Sequence, residues 1–250
     1  MPDLATALKL GFIVPSSNTA VEPICTLLLQ SLCSQVPNTT IIPLFTRISV
    51  TNLSDPSQFS SAHLVAAARL LADADCDAVL WNGTSGMWTG GDLAADEELA
   101  REVEAATGVK AATTTLATVA ALKFLGARKV GIAVPYTDVL AENCRHFFAR
   151  SWEVGAVVKQ DPVPGSNLEI ARSSLSGIKA LLLQAGEGAD AVVAACTNWP
   201  ATSLADEVEA EGGSVLVDSV AVTVWMGLRM IGFEGGMKGW GRLMEKITPL

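Results

Sequence analysis

Short apolar runs alternate with longer helical stretches along all 250 residues of the chain. The runs are rich in Ala, Val, Ile and Leu and end in Gly, Pro, Ser or Asn, a pattern typical of parallel strands buried on both faces. This alternation predicts an α/β fold. We expect strands at Lys9–Val14, Thr40–Leu44, Ala78–Asn82, Lys110–Thr113, Lys129–Val134, Ala156–Gln160, Ala191–Ala195 and Ser214–Val217. The helices expected between them include Ser57–Ala74, Ile170–Ala185 and Thr202–Glu211.

Two segments of the first half recur, in the same order, in the second half. Lys9-Leu-Gly-Phe-Ile-Val-Pro15 matches Lys129-Val-Gly-Ile-Ala-Val-Pro135, and Asp77-Ala-Val-Leu-Trp-Asn-Gly-Thr84 matches Asp190-Ala-Val-Val-Ala-Ala-Cys-Thr197. Chance likeness between α/β units is the alternative, but the shared order favours duplication. The repeat predicts two parallel-sheet half-domains related by pseudo-two-fold symmetry. We expect the first at residues 1–115, completed by a C-terminal helix within 220–250, and the second at 116–219.

Charge and hydropathy limit the classes of partner. The formal net charge is −9, so nucleic acid and anionic membranes would be repelled by most of the surface. No apolar run approaches the roughly 18 residues of a membrane-spanning helix. The N-terminus has no basic segment before its first apolar run, so we expect a cytoplasmic protein. A small carboxylate or dicarboxylate remains compatible with the acidic surface.

The cysteines fit neither disulfides nor structural zinc. Five are scattered along the chain without a Cys-x-x-Cys pair, and only two histidines accompany them. We therefore expect no metal site. Four of these cysteines fall within predicted helices or beside a turn, where a cysteine is usually a small buried apolar residue.

Ligands of open parallel sheets bind beyond the carboxyl ends of the strands, where backbone N–H groups are free. The repeat places four such ends together, at Pro15–Asn18, Gly83–Ser85, Pro135–Thr137 and Cys196–Asn198. They predict a pocket for a carboxylate.

The repeat aligns Gly83 with Cys196, so one half offers a thiol where the other offers only hydrogen. We expect Cys196 at a strand end and helix N-terminus, where the pKa of a thiol can be tuned toward neutrality for proton transfer. Cys196 is therefore the predicted acid/base.

Hydroxyl groups accompany this thiol at the predicted edge. Thr84 and Ser85 follow Gly83, and they suit an oxyanion-stabilising pocket or simple helix capping. Tyr136, the only tyrosine, follows the repeated proline and either donates to the same oxyanion or bonds to backbone in its turn. Met87 and Trp88 offer an apolar wall or core packing.

Other residues of these turns are predicted to contact substrate. Arg47 follows an apolar strand and could bind a second carboxylate bidentately, although most arginines are solvated. The polar run from Pro15 could grip a carboxylate or cap the next helix. The full predicted set is Pro15, Ser16, Asn18, Arg47, Asn82, Thr197 and Asn198.

These motifs resemble the aspartate/glutamate racemase superfamily, in its maleate isomerase and arylmalonate decarboxylase branch. The resemblance spans almost the whole chain, through Gly11–Thr19, Asn82–Ser85, Val134–Asp138, Ala195–Asn198 and Trp240–Arg242. It implies two Rossmann-like halves with the site between them. Racemases and isomerases of the superfamily carry a cysteine in each half, whereas the decarboxylases have glycine at the first position, as at Gly83, and one cysteine that protonates an enediolate.

Three functions follow as hypotheses. The first is a cofactor-independent decarboxylase of a substituted malonate, because one thiol suffices to protonate a carbanion from one face. The second is a maleate-type cis–trans isomerase with Cys196 as nucleophile; racemisation would need a second acid/base. The third is a non-catalytic carboxylate-binding protein.

Overall fold

The computed structural model describes residues 6–51, 55–89 and 91–250, so residues 1–5 of the predicted first half-domain lie outside the described part. The first sheet has the strand order β2-β1-β3-β4 and is entirely parallel. Its strands are β1 (Leu8–Pro15), β2 (Ile41–Ile48), β3 (Ala78–Trp81) and β4 (Lys110–Thr113). The helices between them are α1 (Val21–Gln35), α2 (Ser61–Asp73), α3 (Ser85–Trp88) and α4 (Leu93–Thr107).

The second sheet repeats this arrangement with the order β6-β5-β7-β8, again entirely parallel. Its strands are β5 (Lys129–Val134), β6 (Glu153–Lys159), β7 (Ala191–Ala194) and β8 (Val215–Asp218). The accompanying helices are α5 (Thr114–Phe124), α6 (Asp138–Ala149), α7 (Asn167–Ala171), α8 (Leu175–Gly186), α9 (Ala205–Gly212) and α10 (Ser219–Met230). Because the two sheets share one strand order, the predicted fold of two related α/β halves is confirmed.

The repeated lysine and aspartate join equivalent strands in both halves. The backbone N–H of Lys9 donates to Asp77 Oδ2 at 2.7 Å, and that of Lys129 donates to Asp190 Oδ2 at 2.9 Å. In return, the N–H of each aspartate donates to the carbonyl of its lysine, at 2.9 Å in both halves. The same local geometry therefore starts β1 beside β3 and β5 beside β7.

The repeated glycine lets a helix lie close against each sheet. A Cβ on Gly131 would lie 1.9 Å from the carbonyl oxygen of Ala185, in α8. A Cβ on Gly11 would lie 3.0 Å from side-chain atoms of Leu71, in α2, and of Cys76. In the second half the glycine thus lies against helix backbone, whereas in the first half it lies against side chains.

Helices α5 and α10 each contact strands of both sheets. The Oγ1 atoms of Thr114 in α5 and Thr223 in α10 lie 2.8 Å apart in a buried hydrogen bond. Nearer the ligand-binding edge, Asn143 Nδ2 in α6 donates to the Trp88 carbonyl in α3 at 2.9 Å. Among the described residues, no helix is long and apolar enough to cross a lipid bilayer.

Three predicted helices differ from those observed. The segment expected at Ser57–Ala74 begins with a 3₁₀ turn, Pro56–Phe59, and the helix proper starts at Ser61. The segment expected at Ile170–Ala185 is two helices, because Ser174 leaves the helical conformation and its side chain accepts the N–H of Gly177 as a new cap. The segment expected at Thr202–Glu211 opens with a 3₁₀ turn over Thr202–Leu204. The short helix α3 was not predicted.

The equivalent glycines give a matched pair of substitutions. We expect Gly131→Ala to lower the free energy of unfolding by about 1–3 kcal/mol or more, because the new methyl group meets the backbone of α8. Gly11→Ala should cost less, because the side chains of Leu71 and Cys76 can shift. Urea denaturation of both variants measures the difference, and equal losses would contradict the asymmetry.

Candidate active site

The carboxyl ends of strands from both sheets enclose a cavity of about 20 Å³, room for one water-sized group. Most of the predicted site residues line it. They are Pro15, Asn18, Gly83, Thr84, Ser85, Tyr136, Cys196, Thr197 and Asn198, and they are joined by Phe59, Trp81, Trp88 and Asn167. Both halves contribute to this wall, as the repeat predicts.

Cys196 lies immediately beyond β7 and is 2% exposed. Burial raises the pKa of its thiol to about 11, against the opposing effects of the Tyr136 hydroxyl and the backbone N–H groups of Asn198 and Trp199. At neutral pH the group is therefore a protonated thiol.

The expected helix N-terminus at Cys196 and the expected near-neutral pKa of its thiol are both wrong. A turn follows the thiol, and α9 begins only at Ala205, so the N-terminus of that helix does not lie at the sulfur. Loss of hydration then dominates, and it favours the uncharged thiol.

A directed chain of hydrogen bonds leads to the thiol. The indole N–H of Trp88 donates to Thr84 Oγ1 at 3.1 Å, and Thr84 Oγ1 lies 3.1 Å from the Tyr136 hydroxyl oxygen. An indole N–H can only donate, so the hydrogen of the Thr84 hydroxyl is left for Tyr136 or a ligand. Tyr136 is buried and hydrogen-bonded to Cys196, and loss of hydration raises the pKa of its phenol well above the usual value.

Two further hydroxyls of the cavity are oriented in the same way. The indole N–H of Trp81 donates to Ser85 Oγ at 3.4 Å, and Asn18 Nδ2 donates to Thr197 Oγ1 at 3.1 Å. Each oxygen accepts an N–H, so each hydroxyl hydrogen is available to the cavity. The wall thus presents O–H and S–H donors, and none of the described residues that line it carries a charge.

Asn18 and Asn198 join the two halves at the cavity. Asn18 Oδ1 accepts the N–H groups of Ala20 and Val21, where α1 begins, at 2.9 and 3.0 Å. Asn198, from the second half, accepts the N–H of Thr19 at 2.9 Å and donates to the Asn167 carbonyl at 2.5 Å. Their amide groups are therefore largely occupied by protein contacts, which fix the position of the Thr197 turn.

Three predicted substrate contacts do not line the cavity. The Arg47 guanidinium is paired with Glu22 and donates to carbonyls of the turn that begins at Pro15, so its donors are already used. Ser16 Oγ bonds to the backbone of Val50. The Asn82 amide nitrogen donates to Cys25 Sγ in α1 at 3.7 Å.

Three residues of the cavity wall were missed. Phe59 and Asn167 come from a 3₁₀ turn and a short helix distant in sequence, and no pattern marks them. Trp81 had a usable signal, since it stands two residues before Gly83 and alternate strand residues share a face. Of the suggested apolar pair, Trp88 lines the cavity, whereas Met87 is buried in the core.

A larger cavity of about 440 Å³ adjoins the small one and shares Tyr136 and Asn167 with it. Its wall is mainly apolar. The apolar lining residues are Pro135, Leu140, Val163, Pro164, Leu168 and Ile170. In the described part of the chain, no three His, Cys, Asp or Glu side chains converge as metal ligands would.

Solved structures share this fold. The chain aligns with the maleate isomerase Iso from Pseudomonas putida S16 at 21% identity and a TM-score of 0.85, covering 96% of this chain and 99% of that one. It aligns with the maleate cis–trans isomerase of Nocardia farcinica at 22% identity and a TM-score of 0.82, covering 95% and 98%. An arylmalonate decarboxylase aligns at 22% identity and a TM-score of 0.74, covering 94% and 98%. No curated protein matches the chain in sequence.

The family comparison covers most of the chain. The family model described as arylmalonate decarboxylase matches residues 54–244, a span that includes Gly83, Tyr136 and Cys196. The resemblance inferred from the sequence motifs is thereby confirmed, and the chain belongs to the arylmalonate decarboxylase family.

Proposed function

We propose that the protein is a cofactor-independent decarboxylase of a substituted malonate or related dicarboxylate. The observation that carries this proposal is a single protonated thiol, Cys196, in a cavity whose described wall residues offer hydroxyl donors and carry no charge. Because this cavity holds only one water-sized group, most of a bound substrate would lie in the larger adjoining cavity. Such a wall suits a substrate that becomes more negative at its oxygens during the reaction and then needs one proton.

The proposed reaction needs only groups of this chain. The carbon–carbon bond to one carboxylate breaks, carbon dioxide leaves, and the bonding electrons form an enediolate with the remaining carboxylate. Thr84, Ser85, Tyr136 and Thr197 donate hydrogen bonds to its oxygens. Cys196 then transfers its thiol proton to the carbon, and the resulting thiolate regains a proton from solvent.

The raised pKa of the Cys196 thiol suits this role. A proton donor must carry its proton when the carbanion forms, and a thiol with a pKa of about 11 does so at neutral pH. The enediolate carbon is far more basic than a thiolate, so the transfer is downhill.

The adjoining cavity supports a substituted malonate as substrate. Its apolar wall, with Leu140, Val163 and Ile170, suits an aryl or alkenyl substituent. The shared residue Tyr136 would then lie beside both the substituent and the reacting carbon. Maleate has no substituent to fill this space.

A nucleophilic alternative draws on the isomerases of the same fold. One solved structure of the Nocardia farcinica enzyme holds a covalently bound succinylcysteine intermediate, which illustrates a cysteine adding to a double bond. By analogy, Cys196 could add to maleate. Its buried, protonated state opposes this reading, because the thiolate is the nucleophilic form.

Removing the thiol tests the decarboxylase proposal. We expect Cys196→Ala to lower the rate of carbon dioxide release from an arylmalonate by roughly 10²–10⁴-fold, as loss of a positioned general acid does. Cys33→Ala is the matched control, since Cys33 lies in α1 away from the cavity and should keep wild-type activity. Release at the wild-type rate from Cys196→Ala would exclude this mechanism.

Maleate separates the two reactions. We expect proton NMR of maleate incubated with the wild-type protein to show no fumarate under conditions in which an arylmalonate is consumed. Fumarate formation that is lost in Cys196→Ala would instead favour the isomerase. Thermal stabilisation by both dicarboxylates without turnover of either would indicate a binding protein.

A further inference from the structure

In the first half of the repeat, the space beside Gly83 is filled by a neighbouring side chain. An ideal Cβ on Gly83 would lie 2.3 Å from Trp81 Cζ2 and 2.6 Å from Trp81 Cε2. Non-bonded carbon atoms normally approach to about 3.5–4.0 Å. The indole of Trp81 therefore already occupies the space into which any side chain at Gly83 would project.

The repeat shows the opposite arrangement around Cys196. The alignment that pairs Gly83 with Cys196 also pairs Trp81 with Ala194. A side chain at Gly83 would meet the Trp81 indole, whereas Ala194, at the position equivalent to Trp81, carries only a methyl group. The first half therefore has a large side chain, Trp81, beside a glycine, whereas the second half has a small one, Ala194, beside the thiol.

Contacts on both sides hold the Trp81 ring in this place. The residue is 4% exposed, and its N–H donates to Ser85 Oγ at 3.4 Å. The Phe59 ring packs beside it, with centroids 6.4 Å apart. Displacing the indole would therefore loosen Ser85, one of the hydroxyl donors of the cavity wall.

We propose that Trp81 is a specificity-determining residue that takes the place of a second acid/base. This inference rests on the proposed function, and it concerns the face of the reacting carbon opposite Cys196. The indole has no proton that it can give to or take from carbon, and it closes that face to water. The protein would then deliver its proton from the Cys196 side only, and it could not racemise its product.

The proposal predicts that a second thiol works only after Trp81 is made small. We expect Gly83→Cys alone to lower the melting temperature and to gain no racemase activity. Trp81→Ala/Gly83→Cys should recover the stability of Trp81→Ala. It should also exchange the α-hydrogen of an α-aryl carboxylate with heavy water and racemise it, about 10²-fold faster than wild type, the lower end of a positioned acid/base effect.

Trp88 provides the matched control. It also lines the cavity, but its N–H bonds to Thr84, and the three atoms nearest to a Cβ on Gly83 all belong to Trp81. Adding Gly83→Cys to Trp88→Ala should therefore lower the melting temperature as much as adding it to wild type, and it should yield no racemisation.

The stability measurements keep this inference separable from the proposed function. If Gly83→Cys lowers the melting temperature equally in the wild-type and Trp81→Ala backgrounds, the steric claim is overturned whether or not any malonate reacts. If Gly83→Cys alone racemises as fast as the double variant, Trp81 does not determine the specificity. Failure of the wild-type protein to decarboxylate any malonate would overturn the proposed function, and with it the specificity role, while the melting temperatures would still decide the steric claim.

Discussion

Bulk water is excluded from the thiol of Cys196, which is 2% exposed, and the chemistry of the site depends on this exclusion. Loss of hydration keeps the sulfur protonated, and the Tyr136 hydroxyl and two backbone N–H groups only partly offset it. The same exclusion strengthens each hydrogen bond that the cavity can offer an anion. A charged side chain in this wall would change both effects, and within residues 6–51, 55–89 and 91–250 every residue that lines the cavity is uncharged.

Duplication supplies the frame for this arrangement. Two sheets of the same strand order bring their carboxyl ends together, and the amides of Asn18 and Asn198 connect the turns across the junction. Neither half alone could enclose the thiol, since Thr84 and Trp88 come from one half and Tyr136 and Cys196 from the other. The shape of the cavity therefore depends on how the two halves pack against each other.

Regular sequence patterns made most of the strands and the duplication of the fold predictable. Eight apolar runs and the repeated Gly, Lys and Asp indicate the strands because these residues meet the same local requirements in both halves. The positions of Arg47 and Asn82 were not predictable, because the choice between cavity and protein partner depends on tertiary contacts with Glu22 and Cys25. The pKa of Cys196 was misjudged because a strand end does not reveal whether a helix or a turn follows.

The ionisation of Cys196 tests the central claim most directly. Thiolate ultraviolet absorbance can be followed with pH in wild-type protein and in Cys196→Ser, and the difference reports this one group over the range in which both proteins stay folded. The account predicts no thiolate signal from Cys196 at neutral pH and ionisation only toward pH 11. A thiolate already present at neutral pH would contradict the account, since the sulfur would then be a nucleophile rather than a proton donor.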